Sequence, residues 1–345
     1  MNITFLVPCK DFAGGLRVVA AYGNALIRRG HYVKVIYPKR KISWRDRIKL
    51  QSRRFILKEK DHLDNFRGEL IQVPSLNEEY IPDGDCLIAT AWQTAEIAKD
   101  YSKRCGKKFY LIQGYETWSG DKQLVDKTFE YPFNKIVISK WLKGIVQDIC
   151  GEENIPVIPN GKDFLLSESL GDGLYRKYDI GMLYSTLPTK KSNDGLEAIT
   201  KVKNHFSNLN VVLFGSEYPT YPLPDYIKFF RRPSQEQIKS IYLSTRVWIS
   251  TSVQEGFCLP ALEAIGLGCA VVATNSLGIE DIITNGKDGI LVEPENPENL
   301  ANKIIEVLEN KELERKLCLF GLKRSYEFSW ESSADKLESF LIQNQ

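Results

Sequence analysis

Long apolar stretches are missing from this chain of 345 residues. No segment approaches the roughly eighteen consecutive apolar residues that a membrane-spanning helix requires. The early apolar run Ile3–Val7 is too short, and lacks the basic leader, for a secretory signal. Histidine is scarce: His31, His62 and His205 are all there is. None falls at the end of an expected strand, where α/β proteins gather their ligand-binding side chains. The seven cysteines (Cys9, Cys86, Cys105, Cys150, Cys258, Cys269 and Cys318) are odd in number and scattered, with no Cys-x-x-Cys. Neither a zinc site nor a disulfide framework is indicated, and a reducing cytosol fits best. The formal net charge is only +2, so composition alone points to no polyanionic partner. Low-complexity tracts are absent as well.

What remains describes a soluble globular protein, 43% hydrophobic and 26% charged. Its length suggests about two domains. Ile3–Pro8 reads as a buried strand, followed by a loop with Gly14 and Gly15. A helical pattern through Leu16, Val19, Ala20, Leu26 and Ile27 stops at Gly30, and Val33–Tyr37 is a second strand. Strand, glycine turn, helix, strand is a βαβ unit. The glycines do not form G-x-G-x-x-G and no acidic residue ends the second strand, which argues against a dinucleotide site. Further strands are expected at Cys86–Thr90, Phe109–Ile112, Lys135–Ser139 and Pro156–Ile158. The turn Pro159-Asn160-Gly161 that follows suits a hinge, and the Ser/Gly-rich Leu166–Gly173 a linker. The pattern then restarts with strands at Tyr178–Tyr184, Val211–Phe214, Ile227–Phe230 and Val247–Ser250. Ser234 and Gln237 are spaced as a capping box.

The most informative stretch is Gln254–Ala273, QEGFCLPALEAIGLGCAVVA. Pro260 favours a helix start near Leu259–Pro260, and Ala270–Ala273 reads as a buried parallel strand. A glycine loop running into a helix N-terminus offers free N–H groups and the positive end of the helix dipole to an anion. Glu255 ahead of the helix and Glu263 one turn inside it can each accept hydrogen bonds from hydroxyls. An anion cradle between two hydroxyl acceptors suits a nucleotide sugar.

These residues resemble the E-x7-E motif of retaining GT-B glycosyltransferases, family four. GGLRVVAAYGNALIRRGHYVKV, the IPNG segment ending at Asn160-Gly161, and NSLGIEDIITNGKDGILVEPENPENLANKI are similar to the same family. ATAWQTA and YLIQGYETW resemble its polysaccharide-building branch, which includes rhamnosyltransferases. The resemblance implies two Rossmann-like, doubly wound domains facing across a cleft. Residues 1–160 would be the acceptor-side domain, 161–175 the linker and 176–329 the donor domain. A C-terminal helix in 330–345 would cross back. It implies sugar transfer from a nucleotide-diphosphate sugar to a glycan or lipid-linked acceptor with retention, without cofactor or metal, in cell-surface polysaccharide synthesis. Lys190 and Glu255 would be the catalytic residues. The donor would meet Gly14, Gly15, Asn160, Gly161, Lys191, Arg232, the loop Gly256, Phe257, Cys258 and Leu259, and Glu263. Gln113, Tyr115 and Glu116 are acceptor-side candidates or a packed loop. Met182 stands where the family has an arginine, which leaves the diphosphate clamp a cation short unless Lys191 or Arg232 supplies it. A non-catalytic nucleotide-sugar sensor and a GT-B epimerase or phosphorylase are the rival readings.

Two features fall outside that pattern. Ten basic residues lie between Lys39 and Lys60, with Trp44, Ile48, Phe55 and other apolar residues among them. They suit a lid over the acceptor cleft, or docking at the inner face of an anionic membrane. Nucleic acid is not indicated, because no recognition module accompanies them. Asp83-Gly84-Asp85 is formally the D-x-D of metal-dependent glycosyltransferases, but it enters a strand at its N-terminal end, in a turn setting.

Overall fold

A computed structural model describes residues 1–10, 14–39, 62–164 and 176–345. The basic run beyond Lys39 and the Leu166–Gly173 linker lie outside the described residues. The chain divides into two compact units, Met1–Gly161 with Trp330–Gln345, and Lys162–Ser329.

In the first unit, strands β1 (Asn2–Leu6), β2 (Tyr32–Pro38), β3 (Glu69–Val73), β4 (Cys86–Ala89), β5 (Lys107–Ile112) and β6 (Asn134–Val137) form a parallel sheet in the order β3-β2-β1-β4-β5-β6. β4 and the C-terminal four residues of β5 are wholly buried. That is why they read as unbroken apolar runs without alternation: a parallel sheet is covered on both faces. Helices α1 (Gly14–Arg28), α2 (Trp92–Ala98), α3 (Lys122–Phe129) and α4 (Lys140–Cys150) make the crossovers. The expected strand at Pro156–Ile158 reduces to a single bridge from Val157 to Val137.

The last helix of this unit comes from the far end of the chain, Trp330–Gln343. It packs on α1 through an edge-to-face pair of Tyr22 and Trp330 with ring centroids 5.4 Å apart. Arg29 pairs with Glu331, Asp335 and Glu338, and His31 Nε2 lies 2.6 Å from Glu338. His31 is therefore structural. Asp83 pairs with Arg104, and Asp85 accepts the Asn2 amide at 2.6 Å, on the N-terminal side of the sheet. The D-x-D is a tied turn.

The second unit repeats the winding. β7 (Tyr178–Leu183), β8 (Val211–Gly215), β9 (Ile227–Arg231), β10 (Thr245–Ser250), β11 (Ala270–Thr274) and β12 (Ile290–Val292) are ordered β12-β11-β10-β7-β8-β9, again all parallel. Helices α5 (Ser192–His205), α6 (Gln235–Leu243), α7 (Leu259–Gly266), α8 (Pro297–Glu309) and α9 (Lys311–Ser325) cover it, and Trp330–Gln343 is α10. The Ser234–Gln237 capping box is formed in both directions at the start of α6. The core joins Ile180, Met182, Val211, Leu213, Val247, Ile249 and Val272 to Ile199, Val202 and Ile304 from the helices. Each such buried side chain contributes about 1.5–3 kcal/mol.

Strand order reverses between β1 and β4 in one sheet, and between β7 and β10 in the other. Crossovers leave on opposite faces at these two points, so a crevice opens beyond the strand C-termini. Both groups of site residues lie there.

Candidate functional site

At the second unit's switch point the chain leaves β10 as Thr251-Ser252-Val253-Gln254-Glu255 and turns into α7. The Glu255 amide donates to the Ser276 carbonyl at 3.0 Å, which pins the loop to the segment after β11. Gly278 makes this approach possible, since a Cβ there would sit 2.5 Å from the carbonyl oxygens of Glu255 and Gly256. Cys258 takes a left-handed conformation (φ 67°) as the helix cap and offers no side-chain bond to the first amides of α7. Helix N-termini leave such amides without an internal partner, so this end is open to an anion. At its other end, Arg176 donates to the carbonyls of Leu267 and Gly268 after α7, and to Tyr242, Leu243 and Thr245. α7 is thus held firmly against the sheet.

Lys190, from the loop after β7, places Nζ 2.5 Å from Glu255 Oε1. The Ser252 hydroxyl donates to the same oxygen at 2.6 Å, and the Thr251 hydroxyl donates to the Lys190 carbonyl at 2.8 Å. Together with Ser250 and Pro260 these residues line a small cavity. The side chains of Lys190 and Glu255 are 24% and 12% exposed. Burial by itself would lower the lysine's pKa, but the Glu255 charge and hydrogen bond outweigh it and hold the ammonium above its ordinary value. The pair is charged and largely desolvated. Burial pushes the Cys258 thiol up to about 12, which leaves it protonated and inert.

The remaining donor candidates divide. Phe257 and Cys258 are buried, so only their backbone can meet a ligand. Glu263 is 2% exposed and accepts from the Tyr242 hydroxyl at 3.2 Å. Lys191, left-handed at φ 45°, turns the opposite way from its neighbour and pairs with Glu295 at 2.5 Å. Arg232 (φ 48°) donates Nε to the Ser216 carbonyl. Met182 requires a correction. It is 1% exposed in β7, and its Sδ lies 2.4 Å from where a Gly195 Cβ would stand. It faces the core under α5, so position 182 is not where a second cation would reach a ligand.

In the first unit, Gly14 and Gly15 open α1, and Gln113 packs against Gly15, its Nε2 3.2 Å from the position of a Cβ. The Gln113 Oε1 is buried without a hydrogen-bond partner. Tyr115 donates to Asp126. Glu116 accepts the Trp92 amide at 2.9 Å at the start of α2, and burial raises its pKa to about 7. Asn160 is buried with Oδ1 unpartnered, and Gly161 beside it is buried too. Sequence reasoning missed Ser252 and Thr251. A serine three residues before the glutamate was the available signal, but serine is too common in loops to single out.

An anion-directed loop and helix at a switch point, within paired 3-2-1-4-5-6 parallel sheets, define the GT-B fold class. Residues 176–319 match the family model described as Glycosyl transferases group 1. An uncharacterized glycosyltransferase of Methanocaldococcus jannaschii is 28% identical over 202 residues, which is 57% of this chain and 55% of that protein. The D-inositol 3-phosphate glycosyltransferase of Corynebacterium urealyticum is 30% identical over 111 residues, 32% of this chain and 26% of that one. The chain thus spans about half the length of the first curated relative, and about a quarter of the second. Among solved structures, Anabaena HepE, in complex with UDP and glucose, matches with a TM-score of 0.77 at 16% identity, over 99% of this chain and 100% of that one. A sucrose-phosphate synthase from Thermosynechococcus elongatus matches at 0.73 and 16%, over 99% and 98%. No helix among the described residues is long and apolar enough to cross a membrane.

Proposed function

We propose that this chain is a glycosyltransferase that moves a sugar from a nucleotide-diphosphate donor to a glycan or lipid-linked acceptor, with retention at the anomeric carbon. The observation that carries the reading is the Lys190–Glu255 pair at the open N-terminus of α7. Diphosphate departure builds negative charge. Lys190, the amides of Gly256–Leu259 and the dipole of α7 are fixed there beforehand, and stabilise that charge without reorganising. Glu255 would release Lys190 to the diphosphate and turn to the donor sugar's hydroxyls, while Glu263 would serve the ribose. With no nucleophile or base placed beside this pair, the leaving phosphate would take the acceptor's proton in a front-face substitution. The UDP seen with HepE makes UDP-sugars the first donors to try.

The reading extends to cell-surface polysaccharide synthesis, with the basic run of residues 39–60 resting on an anionic membrane at the cytoplasmic face. No cofactor or metal enters the scheme. A thermal-shift panel of nucleoside diphosphates, followed by transfer assays with the sugar nucleotides that bind, tests it. A ligand at 100-fold its Kd would add about 2.7 kcal/mol of stability. Binding without turnover on any glycan would indicate a sensor, and no diphosphate binding would remove the donor site altogether.

A further inference from the structure

Past the C-terminus of β5, the loop Gln113–Ser119 carries an indole for which neither folding nor the donor site has a use. Trp118 is 50% exposed. Its ring lies on the backbone of Gly114, where a Cβ would meet Cη2 at 3.1 Å. A side chain at 114 would tilt the ring away, so the glycine sets it flat beside Gln113. The loop is anchored independently of the indole. The Trp92 indole N–H donates to the Ser119 hydroxyl at 3.0 Å, and the Ser119 amide donates to the Glu116 carbonyl at 3.0 Å. One Glu116 oxygen takes the Trp92 amide. The other has no hydrogen bond among the described residues. Gln113 likewise keeps an amide oxygen without a partner.

A rigid apolar face next to two spare oxygen acceptors matches one ligand chemistry, a sugar ring. Its C–H faces are apolar enough to stack on an indole, and its equatorial hydroxyls need acceptors at the rim. An alkyl chain would leave both acceptors unmet, and a phosphate would be repelled by Glu116. We propose that Trp118 is the floor of a pyranose subsite, with Glu116 and Gln113 accepting hydroxyl hydrogen bonds, and that the acceptor therefore presents a sugar rather than a bare lipid phosphate. The identification of this sugar as the acceptor rests on the glycosyltransferase reading.

The test uses the full chain with methyl glycosides of glucose, mannose, galactose, rhamnose and N-acetylglucosamine, against octyl phosphate as the non-sugar probe. Saturation-transfer NMR reads binding and shows which ring protons lie against the protein. At least one pyranoside should bind with its saturation concentrated on one C–H face. Trp118→Ala should weaken it about fivefold to tenfold, and Trp118→Phe, which keeps an aromatic face, by less than about threefold. Glu116→Gln, which retains an acceptor for the Trp92 amide, should weaken it further in the Trp118→Phe background. UDP binding, followed by thermal shift in the same samples, should be unchanged in every variant. Failure of every pyranoside to bind, equal binding to the wild type and Trp118→Ala, or preference for octyl phosphate would overturn the subsite. Loss of UDP binding in the wild type, with pyranoside binding intact, would overturn the donor reading and leave the sugar subsite standing.

Discussion

Glu255→Gln and Lys190→Met should move nucleoside-diphosphate affinity in opposite directions. In the ligand-free protein Lys190 is not a waiting cation, because Glu255 sits 2.5 Å away and neutralises it. A free diphosphate, which lacks the sugar, must compete with that carboxylate for the ammonium. Removing the glutamate's charge while keeping its shape ends the competition, so UDP should bind Glu255→Gln as tightly as the wild type, or up to about tenfold tighter. Removing the lysine deletes a charge-assisted bond of roughly 1.5–3 kcal/mol, or about tenfold to a hundredfold in Kd. Stability adds a second axis. Stranding one partner of a buried ion pair costs roughly 3–5 kcal/mol. Residual exposure of 24% and 12%, and the Ser252 hydroxyl that stays on Glu255, bring this nearer to 1–3 kcal/mol. The double variant strands neither group and should recover most of that loss, but none of the activity. Urea unfolding and UDP titration of the four proteins complete the double-mutant cycle. If Glu255→Gln weakens UDP as much as Lys190→Met does, the competition argument fails and the pair is only structural.

Glu116 should make stability depend on pH. Its folded pKa of about 7 lies above the ordinary value of 4.5, so the folded state holds its proton more tightly than the unfolded state. Its contribution is fully present below about pH 4.5 and is lost as pH rises through about 7. The loss is on the order of 2–3 kcal/mol, and urea unfolding of Glu116→Gln between pH 5 and 8 should lack it. Met182→Arg should destabilise by several kcal/mol, since it buries a charge under α5, and should not rescue Lys190→Ala in a kinetic assay. Transfer should survive excess EDTA and the pair Asp83→Asn with Asp85→Asn; an absolute Mn²⁺ requirement lost in that variant would overturn the donor-site reading. Anionic liposomes should retain the chain better than neutral ones and release it above physiological salt, where the Debye length falls below about 8 Å. Equal binding to both lipids would leave only the lid reading of residues 39–60.

Much of this protein is legible from its residues alone, because the relevant physics is local. A strand buried on both faces must be an apolar run, so β1, β4, β8, β10 and β11 stand out along the chain as short blocks of Ile, Leu, Val and Phe. Pro260 announces the start of α7, because only the first turn of a helix tolerates a missing N–H, and Ser234 with Gln237 announces α6 in the same way. The Glu255–Gly256 loop, its helix and the strand behind it could therefore be assigned to an anion and hydroxyl site from spacing alone.

Side-chain direction was decided only by the tertiary structure. Lys190 and Lys191 are neighbours of the same chemistry, yet one left-handed residue at 191 sends them to different carboxylates, Glu255 and Glu295. Met182 is a single strand position, and whether it faced ligand or core depended on which side α5 would cover. Glu263 lies on α7 as expected, but its partner Tyr242 comes from another helix, twenty-one residues earlier. Trp118 reads in the sequence as an ordinary apolar residue of a loop; its exposure depends on Gly114 beneath it and on Trp92 and Ser119 holding the turn. Periodicity and capping follow from neighbours along the chain, whereas the partner a charged or aromatic side chain finds depends on residues distant in sequence, and folding alone brings those together.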